Sequence, residues 1–259
     1  MNEDLKNSEL ISEPTPHIQI VLTASGLKKV VKYPRENYNY KQRLRELIHE
    51  ATIQTLLSYA GISNPPNLIF HNLRVGLVRD ELESSWSLFD QNPEIKIANE
   101  EKFPIALVID YITRQRDRAN RENTRLQRLE SGSYLFLPTD NGESLLGINS
   151  ELNSTDDLGS VYINSLLFAP KVKTRQELEE AINKVKSWPL YKIMFQEVAI
   201  KFFSLGCTFS KQEEDFILQY CDKVLHFIEQ RINNLDQLLL WYDETHPQIN
   251  IQNQIAVAN

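Results

Sequence analysis

The sequence predicts an α+β protein: an N-terminal mixed or antiparallel sheet with two main helices, then a C-terminal helical hairpin or bundle. Three observations lead there. Residues 17–33 alternate apolar and polar side chains at the two-residue period of a half-buried strand. Residues 41–60 and 104–130 space apolar side chains at the three- and four-residue steps of a helix lying on a core. Residues 173–247 contain two capping boxes, each opening an apolar helical stripe.

Taken in order, residues 1–15 are polar and close on Pro14 and Pro16, the composition of a loose tail. His17–Thr23 and Leu27–Tyr33 read as two strands of a hairpin joined through Ala24-Ser25-Gly26. The tyrosine-rich linker Pro34–Tyr40 leads into a helix, which Gly61 and the Pro65-Pro66 pair stop. Asn67–Val78 fits one or two strands, 82–89 a further strand, and Glu94–Ala98 a short one after the turn residues Asp90–Pro93. Pro104 suits the first turn of a helix running to about Glu130. Tyr134–Leu137 reads as a strand, and Asp140-Asn141-Gly142 as a tight turn into Ser144–Ile148. Residues 139–159 hold five acids and no base, as a solvated loop would.

Thr174 with Glu177 opens a helix to about Lys186, and Pro189 interrupts the helical pattern beyond it. Leu190–Leu205 is apolar-rich and stops at Gly206. Ser210 with Glu213 opens a long helix whose stripe is Ile217, Tyr220, Val224, Phe227, Ile228, Leu235, Leu238 and Leu239. The expected organisation is a flexible acidic tail (1–15), an α+β domain (16–172), a helical region (173–247) and a flexible tail (248–259).

Composition narrows the function. The hydrophobic fraction of 41% and charged fraction of 24% suit a soluble protein, expected in the cytoplasm. The longest apolar runs, such as Ile105–Ile109 and Leu238–Tyr242, are far too short to span a bilayer, and the polar, acidic start is unlike a secretory leader. With only 8 glycines there is no glycine-rich dinucleotide fingerprint and no phosphate-binding loop motif. No cofactor or metal is expected: the five histidines are dispersed, His49-Glu50 lacks a second histidine, and Cys207 and Cys221 have no metal-ligand spacing. Serine-nucleophile motifs are absent as well, so no catalytic residue is assigned.

Charge is the most telling feature. Thirteen of the 28 Lys and Arg residues fall in two windows of a chain with net charge −7. Residues 28–45 carry seven bases against Glu36 alone, and residues 113–131 carry six against Asp117, Glu122 and Glu130. Were 104–130 one helix, Arg114, Arg118, Arg121, Arg125 and Arg128 would share a face, as a ridge about 21 Å long at about 1.5 Å per residue. Guanidinium forks match phosphate oxygens two at a time, so such a ridge could follow a nucleic-acid backbone. In the first window Tyr33, Tyr38 and Tyr40 interleave with Lys32, Arg35, Lys41 and Arg43. That mixture of stacking rings and cations suits single-stranded nucleic acid.

The leading expectation is therefore a nucleic-acid-binding or accessory protein that contacts phosphates and bases through these two segments. The alternative is a non-catalytic subunit or adaptor whose long C-terminal helix docks a partner, the basic windows being solvated or internally paired. A third possibility comes from Asp80 and Glu94-Ile95-Lys96, whose loose spacing resembles the PD-(D/E)xK nucleases. The resemblance implies that two carboxylates hold Mg²⁺ and that the lysine helps activate water. A simple hairpin through Asp90–Pro93, however, sets Asp80 about 30 Å from Glu94 at about 3.3 Å per residue.

Overall fold

The computed structural model describes residues 8–71, 74–80, 84–85, 92, 94–115, 118, 120, 123–139, 144–145, 167–205 and 209–245. It is an α+β fold. The N-terminal part is a five-stranded antiparallel sheet of order β1-β2-β3-β5-β4, made of β1 (Glu9–Thr15), β2 (Ile18–Leu22), β3 (Lys28–Lys32), β4 (Asn67–His71) and β5 (Arg74–Asp80). Glu9–Thr15, expected within the loose tail, pair with β2 and form an edge strand. The β2–β3 hairpin turns at Gly26, whose φ of 80° is a backbone conformation that favours glycine. Thr23 ties this turn by accepting the Gly26 N–H at its carbonyl and the Leu27 N–H at its hydroxyl.

Helix α1 (Tyr40–Tyr59) crosses behind the sheet between β3 and β4. It is opened by Asn39, which accepts from the Gln42 N–H while the Gln42 side chain accepts from Asn39 N–H. Register decides which strand residues meet α1. With Leu68 opposite Leu77 and Lys32 also opposite Leu77, these three side chains share the face toward the helix. Leu68 and Leu77 join the main core there, whereas Val21, Val31, Tyr33, Ile69 and Val78 form a small cluster of their own.

The rest is built around α2 (Phe103–Ile112), all of whose residues are buried. A second antiparallel sheet, order β6-β7-β8, consists of β6 (Ser84–Ser85), β7 (Thr124–Arg128) and β8 (Tyr134–Pro138). The helix expected from 104 to 130 therefore ends at Ile112, and its distal part is a strand. Past Ile112 the apolar residues are too sparse to sustain a buried helical face, while Thr124 and Leu126 are buried at the two-residue period of β7. Thr113 closes the helix by donating its hydroxyl to the Ile109 carbonyl, and Arg114 turns away with a φ of 49°.

Two more strand expectations change. Glu94–Ala98 is not a strand: Glu94 is in a turn, its N–H on Asn92 Oδ1, and the segment meets β8 through an isolated bridge from Ile97 to Tyr134. Ser144 and Leu145 are not in a strand; residues 146–148 and the turn 140–142 lie outside the described residues.

The C-terminal region is helical. Thr174 and Glu177 cap α3 (Arg175–Lys186), and a wide π-helical segment, Lys192–Ala199, runs into α4 (Ile200–Phe203). Ser210 and Glu213 cap α5 (Lys211–Asn233), and α6 (Asp236–Thr245) comes next. The expected single stripe is thus divided at Asn234, where the chain turns and Leu235 is fully buried between the two helices. Among the described residues no helix is long and apolar enough to cross a membrane.

Candidate functional site

Lys32 ends β3 and points at α1, where its Nζ lies 2.6 Å from Glu50 Oε1. The two side chains keep 14% and 8% of their exposure, so the pair is largely withdrawn from water. A carboxylate on the buried face of a helix is costly unless a cation and hydrogen bonds meet it, and Lys32 supplies the cation. One turn earlier on α1 stands Glu46, whose carboxyl is raised above the usual range by burial, with Glu50 adding to the effect and Lys32 opposing it. Its Oε2 accepts the Arg35 N–H at 3.4 Å. Lys32 therefore sits before two carboxylates in adjacent turns of one helix.

The chain leaving Lys32 is held in place. The Tyr33 ring is fully buried beneath the Arg74 guanidinium, 4.4 Å from its centroid, and burial raises the phenol's pKa. Arg74 in turn donates to Glu36 at 3.2 Å and to the Pro34 carbonyl at 3.4 Å. Arg43 donates to the carbonyls of Tyr38 (2.7 Å) and Glu36 (2.9 Å), clamping the linker against the start of α1. Gly76 of β5 makes room for Tyr33: a Cβ there would lie 2.9 Å from the ring.

The neighbouring face of α1 meets α5. His49, buried beside Glu50 in sequence, lies with Nε2 at 2.8 Å from the Tyr220 hydroxyl, and the two rings stack at 5.7 Å. Burial, with Arg45 nearby, lowers the His49 pKa to about 4, so its imidazole is neutral near neutral pH. Arg45 spreads its guanidinium over Phe216 at 5.7 Å and Tyr220 at 5.4 Å.

Against this geometry the residues expected from sequence fall into groups. From the first window, Lys32 is engaged by Glu50 and Tyr33 is enclosed, so neither presents itself as a stacking or phosphate-tracking group on an open surface. Arg35, Lys41 and Arg43 are exposed, Tyr38 is half-buried, and Tyr40 is 39% exposed with its edge on Phe216. From the second window, Arg114 and Arg118 are buried, Arg125 is half-buried and Arg128 exposed on β7, and Arg121 lies outside the described residues. The single helical ridge is not formed, because Arg114 and Arg118 come after the helix end and Arg125 and Arg128 are on a strand. Arg118 is locked to Asp110 and to the Asn123 carbonyl.

Val224 and Leu235 of the expected partner-docking stripe are wholly inside the core. Glu94 is in a turn and not in the strand that the nuclease resemblance requires, and among the described residues no group of three or more His, Cys, Asp or Glu could hold a metal ion. Glu50 was not singled out by sequence reading. Its signal in the sequence is a carboxylate flanked by Leu47, Ile48 and Ala51, in the part of α1 where every residue from 47 to 53 is buried.

No family model and no curated protein matches the chain. Among solved structures, the chain is similar to CtkA, a proinflammatory kinase from Helicobacter pylori, at 11% identity and a TM-score of 0.48, over 90% of this chain and 98% of that one.

Proposed function

We propose that this protein binds a nucleoside triphosphate with Mg²⁺ and transfers its terminal phosphoryl group, in the manner of a protein kinase. The observation that carries the proposal is the Lys32–Glu50 pair. Phosphoryl transfer depends on positioning and on cations that meet the phosphate charge, and in protein kinases a lysine on the third strand does so when a helix glutamate holds it. Lys32 is on the third strand of an antiparallel sheet, and Glu50 is on the next helix in the chain. An ammonium has three donors, so it can hold Glu50 and a phosphate oxygen together. The connection between β1 and β2, Pro16–His17, departs from the glycine-rich flap of protein kinases.

Such a reaction also needs carboxylates for Mg²⁺ and for the attacking hydroxyl. Asp117 precedes Arg118 and Asp140 follows Thr139 in the sequence. Both aspartates lie outside the described residues and enter the proposal through sequence alone. Arg118 and Thr139 are themselves tied to one group: the Asn123 carbonyl accepts from both Arg118 Nη1 and the Thr139 N–H, at 2.8 Å each. A cytoplasmic setting belongs to the same proposal, because ATP is held there and Cys221 is a buried free thiol.

The test is calorimetric binding of MgATP together with transfer of labelled phosphate to protein acceptors. Lys32→Met should lower transfer by about 100-fold or more while the protein still melts cooperatively. A wild-type protein that binds no MgATP, or a Lys32→Met variant as active as wild type, overturns the proposal.

A second reading is the binding of nucleic acid or another polyanion by residues 28–45, and the exposure of Lys28, Arg35, Lys41 and Arg43 with Tyr40 between them favours it. Affinity for a single-stranded oligonucleotide would then fall steeply with salt. A salt-independent signal would remove this reading.

A further inference from the structure

We infer that Tyr220 is a positioning residue for the Lys32–Glu50 pair, acting through His49 from the neighbouring face of α1. The inference rests on the phosphotransferase reading for its functional meaning, but its geometry stands independently. Residues 45 and 49 form one row along α1, residues 46 and 50 the next, and adjacent positions are about 100° apart around a helix. The second row faces Lys32. The first faces α5, and each of its members is engaged there: Arg45 over the rings of Phe216 and Tyr220, and His49 on the Tyr220 hydroxyl.

This contact is built as a rigid stack. Phe216 and Tyr220, one turn apart on α5, lie nearly parallel at 5.5 Å, and His49 continues the pile at 24° to Tyr220. The Tyr40 edge and the Lys41 ammonium close on the outer side of Phe216. Arg45 Nε is buried within it with no hydrogen-bond partner, so Arg45 is held there by the rings and not by a directional bond of that nitrogen. The His49–Tyr220 hydrogen bond is then a directional tie between this face of α1 and α5, beside the Lys32–Glu50 row. A helix is stiff along its length, so turning α1 enough to withdraw Glu50 from Lys32 also pulls His49 off Tyr220. Tyr220, 171 residues from His49, thereby sets from the C-terminal region where the Lys32 ammonium points.

The experiment reads Lys32 directly. Its amine is acylated with a small amine-specific reagent without nucleotide, and modification is followed by peptide mass spectrometry against exposed Lys173, which is outside the stack. Glu50→Gln, which removes the partner charge, defines the maximal rise. Tyr220→Phe keeps the ring and loses only the hydroxyl, and should raise Lys32 acylation several-fold with Lys173 unchanged. His49→Leu should behave the same way, and His49→Gln, whose amide can reach the hydroxyl, should restore the wild-type rate. Combining Tyr220→Phe with Glu50→Gln should add nothing to Glu50→Gln alone. A Tyr220→Phe protein, folded by its melting curve, with Lys32 acylated at the wild-type rate overturns the inference; so does an additive double variant. The expected acylation pattern in a protein that binds no MgATP would support the positioning role while overturning the nucleotide reading.

Discussion

Arg118 and Asp110 form an ion pair wholly inside the protein: Nε lies 3.2 Å from Oδ2 and Nη2 3.1 Å from Oδ1, with side chains 0% and 1% exposed. The guanidinium also donates to the Asn123 carbonyl at 2.8 Å, so one side chain joins the end of α2 to the start of β7. Burial raises the Asp110 carboxyl above its usual range even though Arg118 pulls the other way.

Breaking this pair should therefore cost more than its surface counterparts. Arg118→Met removes the cation that meets a buried carboxylate and is expected to destabilise the fold by about 3–5 kcal/mol. The double variant Arg118→Met with Asp110→Leu should recover part of that loss, since neither charge of the pair remains. Urea unfolding monitored by circular dichroism measures both. A single variant as stable as wild type would show that the pair contributes nothing.

Gly76→Ala is expected to be disruptive although the site lies in an ordinary strand. The new methyl would meet the Tyr33 ring at 2.9 Å and the Lys32 carbonyl at 3.2 Å, and neither can move freely. Tyr33 is held under Arg74, and Lys32 is in the middle of the sheet. Overpacking of this kind costs about 1–3 kcal/mol. The same variant should weaken MgATP binding if the Lys32 backbone shifts, and calorimetry alongside thermal melting separates the two effects. An unchanged melting temperature would refute the clash.

His49 predicts an acid-side loss of stability. Its pKa is about 4 in the folded protein, against about 6.5 when exposed, so between these values the unfolded chain binds the additional proton. Stability linked to His49 is therefore complete above about pH 6.5 and declines as pH falls toward 4, by a total on the order of 3 kcal/mol. The urea midpoint of wild type should fall between pH 7 and pH 5 by more than that of His49→Gln, which cannot titrate. Parallel pH dependences of the two proteins would contradict the buried neutral imidazole.

Local signals in the sequence proved readable where local physics decides the outcome. The capping boxes at Thr174 and Ser210 lie where Ser/Thr-x-x-Glu placed them, because each is closed by residues three apart. The β2–β3 hairpin and α1 likewise follow from alternation, a glycine turn and apolar spacing within about 40 residues. The extension of the second helix to Glu130 failed for an identifiable reason. The 4, 3, 4, 3 spacing of its arginines says which side chains would share a face of a helix, not that the helix forms. Leu126 and Thr124 paired with β8, and the strand alternation there was present in the sequence but overshadowed by the charge pattern.

The sequence by itself determined the α+β class, most of the helix starts and the concentration of cations in two windows. Only the tertiary structure decided what those cations face. Lys32 finds Glu50 across 18 residues and Arg118 finds Asp110 across 8, and both lysine and arginine become internal partners in place of surface ligands. The reason is that a charge's effect depends on its distance to other charges and on how much water it retains. Neither quantity is carried by residue identity or spacing; both are set when the sheet closes on α1 and when the chain after α2 folds back on it.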